Sequence, residues 1–131
     1  ALQVGLSGLL HPTDGRFVAT ASAVEQTLRD GPTVFRYRMD DGLPGAEGGF
    51  HLCTTWLIES LVLLGRRSEA HDLLDAYLSL AGPTGLFSEE YCPQTRASLG
   101  NHPQAYSHLG LINAAIALAG ADGAGGVPGR E

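Results

Sequence analysis

The sequence contains no lysine: all eight basic residues are arginines, set against 14 acidic ones. The resulting net charge of −6 argues against nucleic acid or an anionic membrane as the main partner. Cysteine is scarce. Cys53 and Cys92 are the only two and make neither a CxxC pair nor a disulfide framework, which suits a reducing compartment. They read as unrelated thiols, with Cys53 buried on a helix. No apolar run approaches the ~20 residues of a membrane span. Ala1 to Leu10 is apolar but lacks a basic leading region and a cleavage site, so it is not a signal peptide; a cytoplasmic location is expected. The absence of an initiator methionine before Ala1 suggests a processed chain or a fragment. Standard signatures are missing too. There is no P-loop and no GxGxxG, and Gly5-Leu6-Ser7-Gly8 fails the GxSxG pattern at its last position. The five histidines show no HExxH or HxxxH spacing, so neither a metal nor another cofactor is expected.

What is present is an apolar fraction of 44% in 131 residues, enough for one domain with a real core. Four segments read as helices. The first covers about 19–29, with Ala21, Val24 and Leu28 as its stripe and Gly31-Pro32 as its stop. The second covers about 49–64 and ends at Gly65; the third covers about 67–81. The fourth covers about 104–119, with Asn101 as cap and Gly120 past its end. The first and third are amphipathic and the second and fourth apolar almost all round, the alternation that a barrel of helical hairpins requires. Strand character is confined to Thr33 to Tyr37. Residues 1–120 are expected to form one unit and 121–131 a flexible tail.

Two long loops, about 30–48 and 82–103, carry Arg, Tyr, Glu, Asn and Gln among glycines, a pattern that favours function. Successive helices in an up-down array alternate direction, so both loops emerge at one end and their polar residues can converge. The chemistry-bearing candidate there is Ser88-Glu89-Glu90. A vicinal glutamate pair is most often a solvated patch; this one shares its rim with Arg36 and Tyr37. His108, next to Ser107, is no catalytic pair, since helix neighbours point about 100° apart. It reads as a packed, hydrogen-bonded residue.

Several motifs in order carry a family resemblance. Asp30-Gly31 leads to Arg36-Tyr37, then Asp41-Gly42 and Glu47-Gly48-Gly49-Phe50. The stretch FHLCTTWLIESLVLLG follows at 50–65, GLFSEEYCPQ at 85–94 and LGNHPQAYSH at 99–108. Together they resemble glycoside hydrolase family 15, the glucoamylases and bacterial trehalases, over about 5–119. The resemblance implies an all-α fold, the last four helices of an (α/α)6 barrel. It implies an inverting hydrolase acting on an α-glucoside, trehalose or an α-1,4-glucan, with Glu89 as the catalytic general base. Arg36 would hydrogen-bond the sugar, and Tyr37 and Glu47 would serve the same substrate-binding loop. Glu90 would support or be solvated. His51 and His102 depart from the family pattern, standing where apolar or aromatic residues are expected.

The family's catalytic acid belongs to an earlier part of the barrel, which this chain does not contain, so the chain alone is expected to be inactive. Its partners would be the rest of the barrel or a second copy. Two other readings stay open: a helical interaction module, of which one repeat-like copy is found where a solenoid needs several, and a non-catalytic remnant of the fold.

Overall fold

The computed structural model describes residues 1–39, 42 and 47–124. A short helix α1 (Gln3–Leu6) precedes α2 (Gly15–Leu28), and a two-stranded turn, β1 (Arg29–Asp30) with β2 (Thr33–Val34), follows. Strand β3 (Gly49–Phe50) runs directly into α3 (His51–Leu63). Then come α4 (Arg67–Leu78), β4 (Glu90–Cys92), β5 (Ala97–Leu99) and α5 (Ala105–Ala124).

Helix α3 is the centre of the packing and touches α1, α2, α4 and α5. Its Leu57, Ile58 and Leu61 are fully buried, with Ala21 and Val24 from α2, Ala70 and Leu73 from α4, and Ala114 and Leu118 from α5 around them. Buried polar positions on α3 have specific work. Thr54 accepts the Val34 amide through its hydroxyl at 3.0 Å, fastening β2 to the helix. Gly110 of α5 sits against Thr55 and Leu52; any Cβ there would collide with the Thr55 hydroxyl. The absent side chain sets how closely α3 and α5 approach.

The helices begin and end where local chemistry dictates. Helix α2 starts at Gly15, four residues before the expected start, because Asp14 in extended conformation accepts the Arg16 amide at 2.9 Å as an N-cap. Helix α3 starts two residues later than expected because Gly49 and Phe50 pair with β4. Helix α4 ends at Leu78, with Leu80 and Ala81 closing tighter turns onto Tyr77 and Leu78. Helix α5 continues through Gly120 to Ala124, past its expected stop; residues beyond 124, where the tail is expected, lie outside the described residues. Asn101 does not cap α5. It lies four residues before the first residue of the helix, Ala105, and its backbone bonds Glu89.

Helices form the scaffold, as expected, but strand structure is not confined to 33–37. Three short antiparallel strands in the order β3-β4-β5 tie the two long loops together, with Phe50 opposite Glu90 and Glu90 opposite Leu99. Helix α5 is not buried all round: Tyr106, Leu109, Ile112 and Ile116 are exposed along one face. Among the described residues, no helix is long and apolar enough to cross a membrane.

Candidate active site

The three-stranded sheet fixes the rim. Its register joins residues 49–50 to 90–91, so the loop after α2 and the loop after α4 meet, as their shared end requires. Gln94 also reaches Asp30 across the same end, at 3.3 Å. Gly49 is needed at the joint because a Cβ would overlap Thr33 of β2.

Arg36 stands at the centre of one half of the rim. Its guanidinium pairs with Glu47 at 2.8 Å and with Glu90 at 3.2 Å. It also lies 4.9 Å from the centre of the Phe50 ring and 5.4 Å from that of Tyr37, within the range of cation–π attraction. The Arg36 side chain is 42% exposed while that of Glu90 is 13% exposed, so the cation faces outward over a buried acid. The second oxygen of Glu90 accepts the Gly48 amide at 3.1 Å. Burial pushes the Glu90 carboxyl above the ordinary carboxylate range; the Gly48 N–H and Arg36 oppose that rise and Glu47 adds to it.

Glu89 occupies the other half. Glu90 turns toward Arg36, whereas Glu89, at the bend just before β4, turns toward the loop before α5. One Glu89 oxygen accepts the Asn101 amide at 3.1 Å. Among the described residues, the other oxygen has no hydrogen-bond partner. The carboxylate lies over Gly100, where a Cβ would press on it. The Glu89 backbone is clamped as well: its N–H donates to Asn101 O at 2.9 Å and its C=O accepts from the His51 amide at 3.2 Å. The residue is half-buried and does not line the three described hollows, of about 410, 390 and 120 Å³. The smallest of these lies behind Arg36, lined by Val34, Phe35, Cys53 and Trp56 among others.

The structure therefore brings Tyr37, Glu47 and Glu90 together around Arg36 and sets Glu89 at the bend just before Glu90. His108 is packed as expected. Its Nδ1 faces Gln104 O at 2.8 Å and its Nε2 accepts the Phe87 amide at 3.3 Å. Glu90 is supporting and largely buried, not solvated. Sequence reasoning missed the props under the loop. Ser107 Oγ donates to Ser88 O at 2.7 Å, and Ser88 Oγ donates to Glu90 O at 2.6 Å; only the small polar residues flanking Glu89 hinted at them. Both thiols are free, and Cys53 is half-buried; burial raises its thiol to about 11. Among the described residues, no cluster of His, Cys, Asp and Glu could hold a metal ion.

A half-buried carboxylate with one oxygen anchored and one open can hold and deprotonate a water. A neighbouring exposed guanidinium backed by two acids can grip hydroxyl groups. No protein-family model matches the chain. The trehalase of Mycolicibacterium smegmatis is 44% identical over 114 residues, 85% of this chain and 17% of that enzyme. The trehalase of Thermoplasma volcanium is 42% identical over 118 residues, 89% of this chain and 19% of that enzyme. Over most of its length the chain is homologous to trehalases. The expected resemblance to trehalases thus stands, and the chain is a trehalase-like segment spanning about a fifth of the length of these curated relatives. A solved glycosidase shares its fold, with a TM-score of 0.74 at 24% identity over 86% of this chain and 33% of that one.

Proposed function

We propose that the protein carrying this trehalase-like segment hydrolyses an α-glucosidic bond with inversion, trehalose being the first candidate substrate and an α-1,4-glucan the second. Glu89 is the general base. Its open oxygen takes the proton from a water that attacks the anomeric carbon, while the anchored oxygen holds the carboxylate at a fixed angle. Arg36, propped by Glu47 and Glu90 and flanked by Tyr37, binds sugar hydroxyls beside it. The observation that carries this reading is the Glu89 clamp: a carboxylate fixed by Asn101 and seated on Gly100 with one oxygen left open.

The acid partner that protonates the leaving oxygen lies outside this chain, about 6.5–9.5 Å from the base in an inverting enzyme. The segment is then one wall of an (α/α)6 barrel and inactive by itself. The apolar face of α5, from Tyr106 to Ile116, is the surface that the rest of that barrel covers.

Proton NMR of trehalose turnover by the full polypeptide, read before mutarotation, tests the proposal. Inversion gives one β-glucose and one α-glucose from each trehalose. Two α-glucose molecules would mean retention, and no turnover of trehalose, maltose or longer α-1,4-glucans would remove the reading altogether.

A further inference from the structure

His51 is 1% exposed at the first turn of α3, in a site made of aromatic rings. Tyr77 and Phe87 meet it edge-on at centroid distances of 5.3 and 5.2 Å, and Tyr91 lies at 6.5 Å. A leucine would satisfy such surroundings, so a buried imidazole there costs desolvation unless it makes a hydrogen bond that matters.

Its polar neighbour is Ser88, whose Oγ lies 3.5 Å from His51 Nε2. The direction of that contact follows from counting protons. The single Ser88 hydroxyl proton goes to Glu90 O at 2.6 Å, so toward the imidazole Ser88 can only accept. Nε2 therefore carries the hydrogen, and Nδ1 is the lone-pair nitrogen. Nδ1 is the atom that has no partner among the described residues, and a buried lone-pair nitrogen is cheaper to leave bare than a buried N–H. The same residue's backbone amide donates to Glu89 O at 3.2 Å. His51 thus grips both sides of the candidate base: Glu89 through its main chain, and the Ser88–Glu90 link through its ring.

We propose that His51 is a positioning residue for the Glu89 loop, acting as a neutral Nε2–H donor to Ser88 that fixes the angle at which the base faces substrate; this rests on the reading of Glu89 given above. Burial, with His108 adding to it, lowers the imidazole to about 4, which keeps it neutral at working pH.

Three variants of the full polypeptide separate positioning from packing. His51→Gln places an amide donor near the Nε2 position. His51→Leu fills the site better but donates nothing. His51→Asn shortens the reach. Positioning predicts kcat in the order His, then Gln, then Leu and Asn, with His51→Leu down ~10–100-fold at unchanged KM, the scale that a small misplacement of a reacting group costs. Packing alone predicts that Leu matches or exceeds Gln, and that result would overturn the proposal. A second readout needs no turnover. Imidazole ¹⁵N shifts should place the hydrogen on Nε2, and the Glu89 amide should exchange faster in His51→Leu than in His51→Gln. An Nδ1–H tautomer, or equal exchange in the two variants, also overturns it. If wild type proves inactive on every α-glucoside, the reading of Glu89 falls while these spectroscopic outcomes still decide what His51 does.

Discussion

Arg36 and Glu90, 54 residues apart in sequence, meet at 3.2 Å, and that contact places Glu89, the next residue along, at the rim. Glu90 holds both halves of the joint, since its other oxygen accepts the Gly48 amide. Glu90→Ala should leave that amide and part of the Arg36 charge unpaired and cost about 1–3 kcal/mol. Glu90→Gln keeps an acceptor for Gly48 and should cost less. Urea unfolding of the two variants checks the order, and equal losses would mean that the Gly48 bond contributes little.

Arg36→Ala should raise KM and lower kcat together, because in the proposed function the cation binds substrate, and it also pairs with two carboxylates. Combining it with Glu90→Gln should recover part of the stability lost, since the buried acid no longer needs a partner. Steady-state kinetics and thermal unfolding read the two effects separately. Wild-type KM and kcat in Arg36→Ala would remove its role.

The pH dependence of stability should carry the signature of His51. Burial lowers its folded value to about 4, below the unfolded value near ~6.5. The neutral ring is favoured in the fold, so its contribution is fully present above the unfolded value. It is lost as pH falls toward the folded one, because only the unfolded chain then binds the proton. The groups facing the ring are Ser88, Tyr77, Phe87, Tyr91 and His108, and none of them is an acid that could hold the imidazolium. Between about pH 6.5 and 4 stability should decline with a slope approaching ~1.4 kcal/mol per unit from this residue, and His51→Gln should flatten that window. An unchanged slope in the variant would assign the effect elsewhere.

Gly110→Ala tests the helix contact that aligns the two ends of the site. The added methyl meets the Thr55 hydroxyl, so α3 and α5 must separate, at a cost of about 1–3 kcal/mol. Thr55→Ser in the same background does not relieve it, because the hydroxyl remains. Thr55→Ala should. Denaturant midpoints of the single and double variants decide.

Much of this arrangement was legible in the sequence. Apolar stripes and glycine stops located α2 to α5 to within about five residues but missed the short α1, and alternation of helix direction placed Arg36 and the glutamate pair at one end. The strands were not legible: with two or three residues each, they are too short to show a period of two. Their pairing also joins residues about forty apart, which no local pattern encodes. For the same reason spacing alone could not say which vicinal glutamate faces Arg36; the extended backbone at Glu90 decides it. Helix α5 runs through Gly120 and Gly123 although neither packs against a neighbour; a glycine lowers helix propensity but does not by itself end a helix. The exposure of Tyr106, Leu109, Ile112 and Ile116 is not legible in the sequence, because an apolar residue carries no mark of whether its own fold buries it.

That exposed face makes a further prediction. Prepared alone, the 131-residue segment should associate with rising concentration, and Leu109→Glu with Ile116→Glu should reduce the association without unfolding it. Sedimentation velocity and circular dichroism together report both. A monomeric wild-type segment at high concentration would mean that the face is not adhesive.

The most direct test of the account is Glu89→Gln in the full polypeptide, assayed on trehalose with and without azide. Loss of the general base should lower kcat by about 10²–10⁴-fold, and azide, which needs no deprotonation, should restore turnover and yield β-glucosyl azide. A loss of only a few fold, or a large loss that azide does not relieve, would contradict the role assigned to Glu89.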